Sequence, residues 1–187
     1  MPLGRLLIAI ALIGLAALSL WLVQAVKTTQ PTAAQPRLRT PDYFIENFTA
    51  SALDEQGRLR DRLRAPIMFH YPHDDSAELT KPHLELYRQD APPWQIDADK
   101  GWVYRRSDSV LLQGNVLIWQ DAKDGPIRII TRDVRVQPSK KYAETDAPVT
   151  ILRNGARVDA VGMRVYFQES RIQLLSTVRG IYDPKVR

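Results

Sequence analysis

Histidine and aspartate side chains are the residues of this chain whose types and spacing could serve chemistry most directly. His70, His73 and His83 fall in a short stretch that also contains Asp74 and Asp75. A His-x-x-His spacing can hold a metal ion, but no helical pattern surrounds it here and no fourth ligand follows at a typical spacing. We therefore predict loop histidines and no metal site.

Two further carboxylates, Asp97 and Asp99, have the spacing that puts both side chains on one face of a strand. Such a pair could act as general acid and base. The same two residues alternate with Trp94, Ile96 and Ala98, which is the pattern of a strand with one buried and one wet face. We therefore assign the aspartates to the solvated face.

Other chemistry has no motif in the sequence. The chain has no cysteine, which excludes disulfides, thiolate nucleophiles and thiolate metal sites. It contains neither the G-x-x-x-x-G-K-[ST] phosphate loop nor the G-x-S-x-G nucleophile turn. We predict that this protein is not an enzyme and that it uses no cofactor.

The stretch from Trp94 to Trp119 predicts two β-strands joined by a turn, and its pattern recurs. The second strand alternates through Val110, Leu112, Gly114, Val116 and Ile118. Similar spacings return about 33 residues later and about 29 residues after that. The matching positions are Ala98, Leu112, Gly114 and Val116, then Thr131, Thr145, Ala147 and Val149, then Ala160, Leu174, Ser176 and Val178. Repetition of this size is typical of stacked supersecondary units.

These patterns predict an all-β fold over residues 42–183. Strands are expected from about Tyr43 onward, with no amphipathic helical period after the first segment. The apolar phase shifts between Ile129 and Val134, which predicts a bulge near Arg132-Asp133. Asn154-Gly155 predicts a tight hairpin turn.

The first segment has the composition of a membrane anchor. Leu6–Val26 contains 21 residues without a charge between Arg5 and Lys27. At about 1.5 Å per residue it would cross a hydrocarbon core of ~30 Å, with Trp21 near one interface. The alternative is a cleaved signal peptide, with Val23-Gln24-Ala25 as the cleavage site.

The anchor interpretation gives the chain a topology. We expect residues 1–5 in the cytoplasm, a single-pass inner-membrane helix at 6–26, a Thr/Gln/Pro-rich periplasmic linker at 27–41 and a tail at 184–187. Within the helix, Gly14 and Ala17 would allow close approach of other helices. The formal net charge is +5, of which Arg5 and Lys27 contribute two. With so small a remaining charge on a domain outside the cytoplasm, we predict no nucleic-acid partner.

A run of alternating arginines stands out in the predicted second strand. Arg58, Arg60, Arg62 and Arg64 share one face, opposite an apolar face. Two interpretations remain open: a solvated outer face that also discourages edge pairing, or a cationic strip that faces anionic headgroups or phosphates.

Four segments carry a resemblance to a known family. They are Pro93–Lys100 (PWQIDADK), Leu112–Val116 (LQGNV), Leu79–Pro82 (LTKP) and Val178–Tyr182 (VRGIY). Together with the anchor and linker, they resemble the family of lipopolysaccharide export system protein C. The resemblance implies a twisted, open antiparallel β-jellyroll. It also implies that the protein receives lipopolysaccharide from an inner-membrane ABC transporter, which consists of permeases and an ATPase. The protein would then pass the lipid to a soluble periplasmic bridge protein.

The resemblance and the strand parity together predict a lipid-binding row and a docking edge. The expected lipid contacts are Phe48, Leu79, Trp94, Ile96, Leu112, Val116, Ile172, Leu174 and Tyr182. The expected edge for the soluble bridge protein is the last strand, at Ile172, Leu174, Val178, Gly180 and Tyr182. The anchor residues expected beside the transporter are Leu6, Gly14, Ala17, Trp21 and Val26.

Two alternatives accompany this interpretation. The inward row could be a closed core rather than a trough, because every β-sandwich has such a row. The protein could also be a membrane-anchored scaffold that joins envelope proteins by strand addition without binding lipid. A lipid-to-protein crosslink from inward positions distinguishes the carrier from the scaffold.

Overall fold

A computed structural model describes residues 18–21, 39–89, 91–104, 108–122 and 125–182. The chain divides into a unit of residues 1–38 and a unit of residues 39–187. Of the predicted anchor, residues 18–21 are helical, whereas Leu6, Gly14, Ala17 and Val26 lie outside the described residues. No helix in the described ranges has the length and hydropathy that a membrane span requires. The predicted tail and most of the predicted linker also lie outside the description.

The second unit is all-β, as the alternation predicts. Its strands are β1 (Tyr43–Leu53), β2 (Leu59–Tyr71), β3 (Ser76–Thr80), β4 (His83–Arg88), β5 (Ala91–Tyr104), β6 (Ser109–Ala122), β7 (Gly125–Gln137), β8 (Tyr142–Arg153), β9 (Ala156–Tyr166) and β10 (Arg171–Tyr182). Every pairing among them is antiparallel, and neighbours in sequence are neighbours in the sheet, apart from the place shared by β3 and β4. The predicted turn at Asn154-Gly155 is confirmed, with φ of 48° and 77°.

β3 and β4 together occupy the place of one strand between β2 and β5. β3 pairs with the ends of those strands near Tyr71 and Tyr104, and β4 pairs with their other ends. The interruption falls at Lys81-Pro82, since proline lacks the N–H that a central strand needs. The break is bonded to β5, because Lys81 N donates to Asp99 O at 2.9 Å and Ala98 N donates to Pro82 O at 3.2 Å.

A row of irregular residues crosses the sheet at the level of this break. We call it the bulge row. Its members with positive φ are Asn47, Lys81, Gly114, Asp133, Gly162 and Thr177. The strand register shifts at the same level in β5, β6, β7, β8 and β10. Because a bulge bends its strand and increases its twist, a row of bulges folds the sheet into two halves.

The two halves face each other. The rings of Trp94 on β5 and Phe167, just beyond β9, lie 5.4 Å apart. In a flat sheet, β5 and β9 would be about 19 Å apart, because four strand spacings of about 4.8 Å separate them. The contact therefore closes the sheet over its own apolar face. β1 and β10, the first and last strands, form the two edges.

The bulge row also corrects the phase of the buried residues. In β5 the buried positions change phase between Ala98 and Gly101, and in β9 they change phase between Ala160 and Met163. Alternate side chains therefore point inward again after the bend. The predicted bulge near Arg132-Asp133 is confirmed, with the register shift of β7 between Ile130 and Arg135. The other bulges were not predicted. β6 and β8 keep the same parity on both sides of the bend and leave no mark on the sequence, whereas the phase changes in β5 and β9 are a signal that sequence reasoning missed.

Side chains of the strands satisfy the backbone groups that the bulges release. Asp99 Oδ2 accepts hydrogen bonds from Asn115 N at 2.8 Å and from Asn115 Nδ2 at 3.0 Å. Asp133 Oδ1 accepts from Gly114 N at 3.1 Å. Thr145 Oγ1 donates to Arg132 O at 2.9 Å. These bonds matter because an unpaired backbone group in a sheet costs free energy.

His70 ties the start of β1 to the β2–β3 turn. Its Nδ1 lies 2.7 Å from Asp42 Oδ1, its Nε2 lies 3.1 Å from Asp75 Oδ1, and its ring stacks on Tyr43 at 4.6 Å. The hydrogen bond to Asp42, followed by the one to Asp75, raises the pKa of His70 above its ordinary value of 6.5. Protonated His70 therefore links Asp42, before β1, to Asp75 in the β2–β3 turn.

We predict that substitution of Gly114 by alanine destabilises the domain by more than its φ alone explains. Gly114 has a φ of 80°, and an added Cβ would lie 2.5 Å from Asp99 Oδ2, the acceptor that the bulge needs. Gly114→Ala should lower the free energy of unfolding by about 2–3 kcal/mol in chemical denaturation. Gly57→Ala, with a φ of 77° and open space around it, should cost only about 1 kcal/mol. Equal losses at both positions would contradict the role of Asp99.

We predict that the attachment of β1 weakens as pH rises. Because folding raises the pKa of His70, the stabilisation is complete below about pH 6.5 and is lost as pH rises through the raised pKa. Amide hydrogen exchange at the start of β1, corrected for intrinsic rates, should be slower at pH 6 than at pH 8. Asp42→Asn should bring the NMR-measured pKa of His70 down toward 6.5, and an unchanged pKa would contradict the assignment.

Candidate functional site

The inward face of the folded sheet is lined by apolar side chains. Alternate side chains of both halves meet there and form one cluster of buried residues. Five of the predicted lipid contacts lie at its centre, each at most 2% exposed: Leu79, Trp94, Ile96, Leu112 and Val116. In this structure, the halves therefore pack against each other as a core at the middle of the face.

The other predicted lipid contacts lie toward the edges. Phe48 on β1 and both Ile172 and Leu174 on β10 are half-buried and pack against the central cluster. Tyr182, at the end of β10, lies opposite Ala156 and is 70% exposed. The structure thus brings eight of the nine residues together and leaves Tyr182 at the rim. The rim residues are accessible from solvent, whereas the five central ones would become accessible only if the halves moved apart.

A cleft marks one place where the halves do not fill the space between them. It has a volume of about 200 Å³ and lies between β1, β2 and β4 of one half and β5 and β6 of the other. Its apolar walls include Ala50, Leu63, Val103 and Val110, and its mouth carries polar side chains such as Asp61. The cleft is a short apolar groove with a polar entrance.

Two cations bridge the two halves of the sheet at one end of the inward face. Arg88 Nη1, at the end of β4, donates to Phe167 O at 3.1 Å and to Ser170 Oγ at 2.7 Å in the β9–β10 turn. Lys141 Nζ, in the β7–β8 turn, donates to Tyr87 O. Burial lowers the pKa of Lys141, and repulsion by Arg60 and Arg88 acts in the same direction against the attraction of Asp61. We call Arg88 and Lys141 the cationic clamp.

Sequence reasoning missed the cationic clamp, although part of its signal was present. Leu84 and Leu86 are buried on the inward face of β4, and Arg88 continues their parity. An arginine on an inward row is unusual and could have been noted. Lys141 had no such signal, because its role depends on a turn that folds against β4.

The indole of Trp94 is a second polar group inside the apolar face. Trp94 is 2% exposed, and among the described residues its Nε1 has no hydrogen-bond partner. Arg88 Nε is buried in the same condition. Buried donors without acceptors are rare in folded proteins, so both atoms are candidates for polar contacts beyond those of the described residues.

The arginine strip on β2 is paired with carboxylates. Arg60 contacts Asp61 at 2.7 Å, Arg64 contacts Glu85 at 2.9 Å, and Arg62 lies 3.8 Å from the same glutamate. Arg58 pairs with Asp54 at 2.9 Å. These ion pairs favour the solvated outer face over a strip that is free to bind phosphates.

The histidines and the aspartate pair have structural contacts. His83 Nδ1 lies 2.6 Å from Asp97 Oδ1, and Trp119 Nε1 donates to Asp97 Oδ2 at 3.2 Å. Asp99 serves the bulge at Asn115. Asp97 and Asp99 therefore bond to different partners and do not share a site. Among the described residues, no group of three or more His, Cys, Asp or Glu could hold a metal ion.

The last strand has an exposed second half. Ile172 and Leu174 turn inward before the bulge, whereas Val178, Gly180 and Tyr182 are exposed after it. In the described chain, β10 pairs with β9 on one side only. At the other edge of the sheet, β1 is exposed over most of its length. Both edge strands thus present backbone groups to a partner strand.

Comparison with known proteins supports this architecture. The family model described as lipopolysaccharide-assembly, LptC-related, matches residues 8–183. Among solved structures, the chain is similar to the crystal structure of LptH, described as the LptA homologous periplasmic component of the conserved lipopolysaccharide transport device from Pseudomonas aeruginosa, with a TM-score of 0.52 and 8% sequence identity. The likeness covers 66% of this chain and 95% of that one, and it shows a shared fold. No curated protein matches the chain.

We predict that the contact between Trp94 and Phe167 carries much of the closure of the halves. Phe167 is fully buried, so Phe167→Ala should lower the free energy of unfolding by about 3–5 kcal/mol. Phe44 on β1 is 61% exposed, so Phe44→Ala should cost less than about 1 kcal/mol. Chemical denaturation followed by tryptophan fluorescence measures both values. Similar losses for the two variants would mean that the halves do not depend on this contact.

Proposed function

The chain belongs to the LptC-related family of lipopolysaccharide-assembly proteins, and on this basis we propose that it carries lipopolysaccharide without catalysing a reaction. In this proposal it receives the lipid from an inner-membrane ABC transporter and passes it to a soluble periplasmic bridge protein. The observation that carries the proposal is the apolar inward face, whose side chains are buried at the centre and accessible at both edges.

The chemistry of acyl chains fits this face. Each CH₂ group that leaves water gains about 0.8 kcal/mol, so a lipid with several chains needs an apolar shield during transit. The inward face supplies aliphatic and aromatic side chains from both halves. The absence of cysteine leaves no disulfide between the facing sides of the halves, so they can move apart about the bulge row at the cost of noncovalent contacts alone.

The proposal also gives the carrier a direction. We place the transporter side at the anchor of residues 6–26 and the bridge protein at the β10 edge. The anchor would hold the protein in the inner membrane with its N-terminus in the cytoplasm and the β domain in the periplasm. Since the sequence has no phosphate-loop motif, the energy for lipid extraction comes from the ATPase of the transporter.

A scaffold without lipid binding is the second candidate, and the exposed edges favour it. Strand addition at β1 and β10 would join two envelope proteins through main-chain hydrogen bonds. The two functions differ in what the rim residues contact. In the carrier they touch acyl chains, and in the scaffold they touch only protein.

We predict that a photo-crosslinking residue at Ile172 captures lipopolysaccharide in cells. This rim position is half-buried on the inward side, so it should accept a larger side chain more readily than the fully buried Leu79. Gln173, the next residue, is exposed on the outer side and is the matched control. Capture at position 172 with none at 173 is the expected result. Equal capture of the lipid at both positions would contradict an inward lipid path, and capture of protein alone would favour the scaffold.

We predict that proline at Val178 weakens docking of the bridge protein. Val178 lies within the register shift between Ser176 and Arg179, so proline should remove an N–H of the edge and leave most β9–β10 pairing intact. Val178→Ala keeps the N–H and should bind normally in a pull-down. If Val178→Pro retains the bridge protein while circular dichroism shows a folded domain, β10 is not the docking edge.

A further inference from the structure

The inward row of β4 is apolar along its length and positively charged at its end. Leu84 and Leu86 are at most 1% exposed, and Arg88 follows at the same parity. Its guanidinium points across the gap to the β9–β10 turn, where its acceptors include Phe167 O and Ser170 Oγ. A face of this kind matches a ligand with apolar chains and an anionic group at one end.

Lys141 brings a second cation to the same place. Phe167 N donates to Lys141 O at 2.8 Å, so the β7–β8 and β9–β10 turns lie side by side. Lys141 Nζ then reaches Tyr87 O, next to Arg88. Among the described residues, the acceptors of both cations are carbonyl or hydroxyl oxygens and not carboxylates.

The two carboxylates that act on Lys141 in the described domain are already paired. Asp61 and Asp54 act on Lys141 electrostatically, but Asp61 bonds Arg60 at 2.7 Å and Asp54 bonds Arg58 at 2.9 Å. The two clamp charges therefore remain without a direct counter-ion in the described part of the domain. Partly buried cations are usually paired or functional.

Unsatisfied donors lie along the same end of the face. Within the described ranges, neither Arg88 Nε nor Trp94 Nε1 has a hydrogen-bond partner, and both atoms are buried. Trp94 lies opposite Leu86, one inward position before Arg88 on β4. A ligand with charged oxygens outside and carbonyl oxygens further in would satisfy both. Phosphorylated glycolipids have this order, with phosphates on the sugar and ester or amide carbonyls at the start of each acyl chain.

We propose that Arg88 and Lys141 form an anion site that holds a phosphate group of the transported glycolipid, with Trp94 donating to an acyl carbonyl below it. The inference rests on the proposed function, because it names the headgroup chemistry of the same ligand. In the lipid-free chain, the two cations bond backbone oxygens and close the halves. Phosphate oxygens then replace those neutral acceptors, because an anionic acceptor attracts the two cations more strongly than a neutral oxygen does. Lipid entry and opening of the clamp are thereby coupled.

The test compares two forms of one lipid on the full chain in nonionic detergent. The probes are lipid A, the acylated and phosphorylated part of lipopolysaccharide, and the same lipid after removal of its phosphates. The wild-type protein should bind the phosphorylated form about tenfold more tightly or better. In Arg88→Gln and Lys141→Gln, this ratio should fall toward one, while affinity for the dephosphorylated lipid is retained.

The ratio of the two lipid affinities distinguishes an effect on binding from an effect on folding. A variant that is merely destabilised should lose affinity for both lipids alike, and thermal unfolding monitors that effect. Arg88→Lys keeps the charge and should retain most of the preference. Arg132→Gln removes an exposed arginine that pairs with Asp133 at 3.1 Å, so it should leave the ratio unchanged.

The remaining outcomes decide against the inference in distinct ways. Equal binding of both lipids by the wild-type protein, or an unchanged ratio in both clamp variants, overturns the anion site and leaves the carrier function standing. Binding of neither lipid overturns the carrier function itself. Saturable binding of inorganic phosphate alone, abolished by Arg88→Gln, would assign the site to the free ion and not to a lipid headgroup.

Discussion

The backbone hydrogen bonds at the bulge row are the constraint on which the rest of the structure depends. A flat antiparallel sheet of this size would leave its apolar face in water, and long strands cannot bend without losing ladder bonds. Here the strands bend at one level, and Asp99, Asp133 and Thr145 bond to backbone groups at the bends. The fold can then close over its own face without burying many unpaired backbone groups.

The same bend leaves the domain closed by contacts that can be reversed. The halves meet through aliphatic packing, through the rings of Trp94 and Phe167, and through the bonds of Arg88 and Lys141 to neutral oxygens. None of these is covalent, and the clamp charges are not held by carboxylates in the described residues. A carrier of large amphiphiles needs this property, because its apolar face must be shielded from water when empty and accessible when loaded.

The arginines of the outer face and the two cations of the clamp differ in their hydrogen-bond partners. On the outer face, Arg60, Arg64 and Arg58 are bound to carboxylates, which makes them part of a solvated and screened surface. At the clamp, Arg88 and Lys141 bond to backbone oxygens. The ligand chemistry that we assign to this domain therefore depends on two cations and not on the longer arginine run.

Period-2 alternation determined the all-β class, the strands around Trp94 and Ile118, and the β7 bulge, because one buried face leaves a direct mark on sequence. Motif resemblance determined the family. The bulges of β6 and β8 leave no residue pattern because both strands keep their parity through the bend, whereas the phase changes of β5 and β9 were present in the sequence and were not used. Only the tertiary structure decided that five predicted lipid contacts pack as a closed centre and that Tyr182 is exposed, since burial depends on the opposing half. The clamp was also beyond sequence, because Arg88 and Phe167 are 79 residues apart and meet only when the sheet folds over.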